Sequence, residues 1–241
     1  MSARPALEGR GLVASALAAA AGWLLEPAEP TGPDRPQASV DARPVIAVVG
    51  LAARCGATTV ARAVAAQLAA RDPGGASVVT WLGPAGAVPL GLPAAGRLAR
   101  TLSPLAVGSA RACGRLCLVE GADPAALAGA ARYLAPLVLD VEDRSMASAT
   151  AALADHVLLV GSPGTEPALA ALLAESLGRV GPEPVAVLNR AGRDCERWAG
   201  RCAAEIPDSR IGARLALAGR EPRGGLGEAI GGLVERCGEA R

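Results

Sequence analysis

Three short stretches carry the residues best suited to chemistry. The first is Gly56-Ala57-Thr58-Thr59, a glycine followed by a hydroxyl pair at the head of a helical pattern. Backbone N–H groups at such a helix start hold an anion without any charged side chain. The second is Asp140, near the end of the apolar run 136–141 (PLVLDV), with Glu142 and Asp143 beyond it. A carboxylate after an apolar strand, downstream of an anion loop, reaches a magnesium ion through water. The alternative is that Asp140 starts the following loop and caps the next helix. The third is Asn189, which closes the apolar run 184–188 and offers one amide donor and one acceptor.

The elements around these residues are legible from the pattern. Residues 45–49 are apolar without alternation, as in a strand buried on both faces. A small-residue loop, 50–56, follows. From Thr58 onward, Val60, Val64 and Leu68 recur one turn apart, as on the buried face of a helix. Strand, glycine loop, hydroxyls and helix together form the skeleton of a phosphate-binding loop. The Walker A pattern G-x-x-x-x-G-K-[ST] has lysine where this chain has Ala57, and all 24 basic residues are arginine. Further strands are expected at 77–82, 115–119, 136–141, 156–160 and 184–188. Helices are expected at 94–102, 146–153, 167–180 and 226–237. Another begins at Pro124 behind Asp123 as N-cap and carries Leu127, Ala130 and Leu134. This alternation predicts an α/β domain with a mostly parallel sheet and helices on both faces, a P-loop NTPase-like three-layer sandwich. Ligands in such sheets sit at the carboxyl ends of the strands, where Gly56, Thr58, Asp140 and Asn189 all fall.

On these residues the chain resembles the ParA/MinD family of ATPases, including its CpaE-like members, whose deviant Walker A loop reads K-G-G-x-G-K-[ST]-[ST]. On that pattern Ala52, Ala53, Arg54, Cys55, Gly56, Ala57, Thr58 and Thr59 stand in order. The second-lysine glycine and both threonines match; both lysines and the first two glycines do not. The run D-H-V-L-L-V-G-S-P from Asp155, and Glu205-Ile206-Pro207-Asp208, resemble later family segments. The resemblance implies a nucleotide site at Arg54, Gly56, Ala57, Thr58, Thr59 and Asn189, with Asn189 on the adenine edge. It implies magnesium at Thr58 and Asp140 wherever nucleotide binds. It also implies an Asp after the second strand, and 82–89 (LGPAGAVP) contains no carboxylate. The relatives form ATP-sandwiched dimers in which the first lysine reaches the partner's phosphates, and Ala52 cannot do this. The reading is therefore a degenerate, vestigial nucleotide site in a pseudo-ATPase that serves as an interaction or positioning module. ATP and Mg are at most weak ligands, no residue is assigned a catalytic role, and a protein partner or a homodimer is expected. The alternative is an active ParA/MinD/CpaE-like ATPase in cargo positioning, cell division or pilus assembly. A third reading, a different P-loop-like or Rossmann-like protein with a site at Glu120, Asp123 and the cysteines, has no motif behind it: Gly50-x5-Gly56 is not the dinucleotide G-x-G-x-x-G.

Composition narrows the rest. Half of the 241 residues are apolar, with three Trp, one Tyr and no Phe, so the core must be aliphatic. A net charge of +1 gives no clear nucleic-acid patch. Of six cysteines only Cys113 and Cys117 have zinc-like spacing, and free thiols in a cytoplasmic protein are the simpler expectation. Residues 1–25 hold an uncharged apolar run, 11–25, too short to span a bilayer. It reads either as a helix that packs or lies free, or as an interfacial anchor on the inner face of the membrane. Residues 26–43 are rich in Pro and acidic residues and read as a linker. The domain occupies 44–241.

Overall fold

The computed structural model describes residues 42–81, 90–141, 143–192 and 195–239. The expectations for the N-terminal helix, most of the linker and the loop after the second strand fall outside the described residues. The strands are β1 (Val45–Gly50), β2 (Ser77–Trp81), β3 (Ala110–Cys113), β4 (Leu116–Glu120), β5 (Leu137–Val141), β6 (His156–Gly161), β7 (Val185–Ala191) and β8 (Ala204–Pro207). They form one sheet in the order β3-β4-β2-β5-β1-β6-β7-β8. All pairings are parallel except β3 with β4. β1 lies inside the sheet between β5 and β6, as its unbroken apolar run requires.

The helices are α1 (Ala57–Arg71), α2 (Pro93–Leu102), α3 (Pro124–Ala131), α4 (Ala147–Ala151), α5 (Pro167–Leu177), α6 (Arg210–Leu217) and α7 (Gly224–Glu239). The period-2 pleat divides β1 between two cores. Ile46 and Val48 face one core with Val60, Val64 and Leu68 of α1, Ala216 of α6 and Ile230 of α7. Val45 packs on the other face with Leu102 of α2 and Leu127 of α3. Ala47 and Val49 lie on that same face with Ala151 of α4 and Ala170 of α5. This is the three-layer α/β sandwich that the sequence predicts. α1 is packed against β1 and also against α6 and α7, and its alanines 61, 65 and 66 are fully buried. A methyl group there leaves room for the flanking helices.

Several boundaries shift from their expected places. The helix from Pro124 ends at Ala131, so Leu134 lies beyond it and is exposed, and α5 ends three residues before 180. Two strands, β3 and β8, and helix α6 had no strong pattern in the sequence. β3 and β8 are four-residue edge strands, too short for a period-2 signal, and Ile211 and Leu217 of α6 are exposed. Among the described residues Trp198 is the one buried aromatic; it is fully buried and donates its indole N–H to the Thr165 carbonyl at 3.2 Å. A Cβ at Gly161 would lie 2.6 Å from that ring, so glycine is the residue that lets β6 pass it.

Candidate functional site

The loop between β1 and α1 is shaped by its own backbone and by neighbouring strands. The Leu51 N–H donates to the Val160 carbonyl at 2.9 Å, and the Cys55 N–H to the Ala52 carbonyl at 3.3 Å. Arg54 has φ of 61° and Gly56 has φ of 88°, so the chain turns through left-handed conformations twice before the helix. Gly56 is the N-cap of α1, which has no side-chain cap and no acidic residue in its first turn. The starts of α3 and α6 differ: Asp123 accepts from the Ala126 N–H at 3.1 Å, and Ser209 from the Gly212 N–H at 3.0 Å. The loop thus keeps the backbone arrangement that suits an anion at a helix N-terminus.

A cavity of about 620 Å³ opens between this loop and the end of β5. Arg54, Gly56, Ala57 and Thr58 line one wall, and Asp140, Asp143 and Arg144 the other. The structure thereby brings together residues that the sequence separates by more than 80 positions, because β1 and β5 are paired with Val48 opposite Asp140. Thr59 is half-buried in the first turn of α1 and does not line the cavity. Arg54 is exposed, and Ala52 and Ala57, at the two lysine positions, are half-buried. Asn189 is buried and approaches the loop beside Gly56, where a Cβ would meet its amide nitrogen at 2.2 Å. Its Nδ2 donates to the Cys55 carbonyl at 2.9 Å. One amide donor of the residue expected on an adenine edge is therefore engaged within the loop.

The two readings of Asp140 separate here. Asp140 is buried within β5, and its N–H donates to the Thr80 hydroxyl at 2.8 Å. The cap of the following turn is Asp143, which accepts from the Ser145 N–H at 2.9 Å at the start of the 3-10 turn Arg144–Met146. That backbone hydrogen bond holds the Asp143 carboxyl below its usual range. Asp140 is left facing both the loop cavity and a smaller one of about 160 Å³ lined by Leu139, Met146 and Thr150. Thr58 lines the loop cavity from the opposite wall.

Arg144 is the residue that sequence reasoning missed. Its Nε donates to the Gly50 carbonyl at 3.2 Å and its Nη2 donates to the Leu51 carbonyl. Arg54 is the one cation within the loop, but Arg144 brings a second to it from the other wall. The only sequence signal is its place directly after the acidic cluster Glu142-Asp143, which points to the loop only once β5 is known to lie beside β1.

All six cysteines are free thiols. Burial pushes Cys117 up to about 12 and Cys237 up to about 11. Cys113 and Cys117 are both buried in the β3–β4 pair, where Cys113 stands opposite Leu116 and Cys117 opposite Ala112. Among the described residues no group of three or more His, Cys, Asp or Glu side chains is arranged to hold a metal ion. Among them, too, no helix is long and apolar enough to cross a membrane.

A buried central strand, a glycine loop opening an uncapped helix and a carboxylate on the adjacent strand define a P-loop NTPase-type α/β fold. Solved structures agree. A ParA family ATPase from Chlorobium tepidum TLS is 16% identical, with a TM-score of 0.57 over 80% of this chain and 99% of that one. Cyanothece McdA, in the D38A variant complexed with ATP, is 12% identical, with a TM-score of 0.55 over 83% of this chain and 98% of that one. The MinD cell division protein of Aquifex aeolicus is 14% identical, with a TM-score of 0.51 over 81% and 97%. No protein-family model and no curated protein matches the sequence. The fold is that of the ParA/MinD ATPases.

Proposed function

We propose that this chain is a ParA/MinD-like P-loop protein that has lost efficient ATP hydrolysis and acts as an interaction or positioning module. The observation that carries this reading is the loop itself. It retains a left-handed Gly56 and an uncapped helix start, yet alanine occupies both lysine positions. Transfer of a γ-phosphoryl group needs its charge neutralised by positioned cations. A helix N-terminus contributes about 1 kcal/mol to a bound anion, or about 2 in a favourable site. That is less than dehydrating and ordering a triphosphate requires.

The fit of nucleotide and metal is divided. Thr58 and Asp140 line one cavity and are suitable donors for magnesium. The phosphate side fits poorly: positions 52 and 57 are alanine, and of the two arginines lining the cavity Arg144 has Nε and Nη2 engaged on loop carbonyls, which leaves Arg54. Asp143 adds negative charge to the same cavity. No catalytic step is assigned to these residues. The second reading, an active ATPase in cargo positioning, cell division or pilus assembly, is favoured by one observation, the presence of Arg144 in the cavity wall.

The partner in this proposal is another protein or a second copy of the chain, and the net charge of +1 gives no clear nucleic-acid patch. The setting is cytoplasmic, with residues 11–25 as the segment for any peripheral membrane contact. Residues 1–25, 26–43 and 44–241 serve as apolar helix, linker and folded domain. Calorimetric titration with ATP and magnesium tests the central point. Binding no tighter than about millimolar, equivalent to about 4 kcal/mol, and turnover at background are expected. Micromolar binding would overturn the reading.

A further inference from the structure

Two side chains from outside the phosphate-type loop hold its backbone carbonyls. Arg144 reaches from the turn after β5 to Gly50 and Leu51, where the loop leaves β1. Asn189 reaches from β7 to Cys55, where the loop enters α1. Between these grips, Leu51 is bonded to Val160 of β6. The loop is therefore tied to three neighbours of its own strand and helix. Peptide carbonyls at such a turn need donors, and Arg144 meets that of Gly50 in an exposed contact and that of Leu51 in a part-buried one. A guanidinium presents its donors in a rigid fork, so one Arg144 spans two successive carbonyls, which an ammonium group does less well. The Asn189 amide also fills the space that Gly56 leaves open.

We infer that Arg144 and Asn189 form a built-in latch that holds the loop in its folded shape with no ligand present. The inference rests on the reading of the chain as an interaction module and names what sets the loop's conformation there. The protein's own donors hold the loop, and the surface around it is presented constantly. Asp143 supports the arrangement by capping the turn on which Arg144 sits.

Hydrogen-exchange mass spectrometry on the full chain, without nucleotide, tests the latch. The Leu51 and Cys55 amides, whose N–H groups are bonded to the Val160 and Ala52 carbonyls, should exchange slowly in the wild type. Arg144→Ala should speed exchange at Leu51 by about 10- to 100-fold, and Asn189→Ala should do so at Cys55. Arg144→Lys should recover only part of the protection, and the melting temperature of Arg144→Ala should stay close to wild type because residue 144 is exposed. Unchanged Leu51 exchange in Arg144→Ala, or wild-type Leu51 and Cys55 amides already exchanging at open-chain rates, would overturn the latch. A global rise in exchange with a lowered melting temperature would also overturn it, since Arg144 would then support the fold at large. The same measurement with about millimolar ATP and magnesium keeps the two proposals apart. Slowed exchange in the wild type would count against the interaction-module reading, while the latch stands or falls on the nucleotide-free variants.

Discussion

The two walls of the loop cavity differ in what they have kept. The β5 wall carries charge: Asp140, Asp143 and Arg144. The loop wall is small and nearly neutral, with alanines 52, 53 and 57, Cys55 and Gly56 beside one exposed arginine. One wall thus carries both carboxylates, while the other is shaped by its backbone and offers a single arginine. The difference teaches that the backbone shape of such a loop is separable from its charge. Shape here depends on a left-handed glycine, strand pairing and donors from neighbouring elements. Charge depends on side chains, and positions 52 and 57 carry only methyl groups.

The largest effect should come from breaking the loop wall's shape. Gly56→Val places a β-branched residue at φ of 88° with its Cβ against the Asn189 amide. A loss of about 2–5 kcal/mol in denaturant unfolding is expected. A loss under about 0.5 kcal/mol would mean that the turn is not built as described.

Re-arming the same wall should give the next largest change. Ala57 lines the cavity at the head of α1, so Ala57→Lys should raise ATP affinity by about 10- to 100-fold in calorimetry. No gain would show that shape and charge are not separable here, and that the loop has ceased to be a cradle.

The smallest effect concerns the β5 wall and is a matter of pH. The Asp143 carboxyl titrates below the ordinary 3.8 because the ionised form accepts the Ser145 N–H. A depressed folded-state value means that its contribution is present above 3.8 and is lost as pH falls through the lower folded value. Below that point the turn bearing Arg144 loses its cap. The Ser145 amide resonance should therefore move with a midpoint below 3.8, and Asp143→Asn should abolish that movement. A midpoint at or above the ordinary value would remove Asp143 as the cap.

Much of this protein was legible because its signals are local and periodic. The run of β1 has no polar residue, and only a strand buried on both faces tolerates that. Val60, Val64 and Leu68 share a helix face by spacing alone, and Asp123 before Pro124 marks a helix start by short-range chemistry. The candidate site was half legible for the same reason. Gly56 and Thr58 stand at the head of a helical pattern and Asp140 near the end of its own apolar run, and all three line one cavity.

What remained depended on which strands are neighbours. Nothing in the spacing from Gly50 to Arg144 says that a guanidinium will meet two loop carbonyls; that follows from β5 lying beside β1. Nothing in the run around Asn189 says that its amide will turn to Cys55 rather than outward, since β7 lies two strands from β1. The choice of Asp143 over Asp140 as the cap was equally hidden, because both acids follow the same strand and only the backbone path selects one. The sequence by itself determined the layers, the central strand and the missing lysines, because period, apolar runs and residue identity need no partner. Tertiary structure alone decided how the loop is held, because a hydrogen bond between distant residues depends on angstrom-scale placement that a linear pattern does not encode.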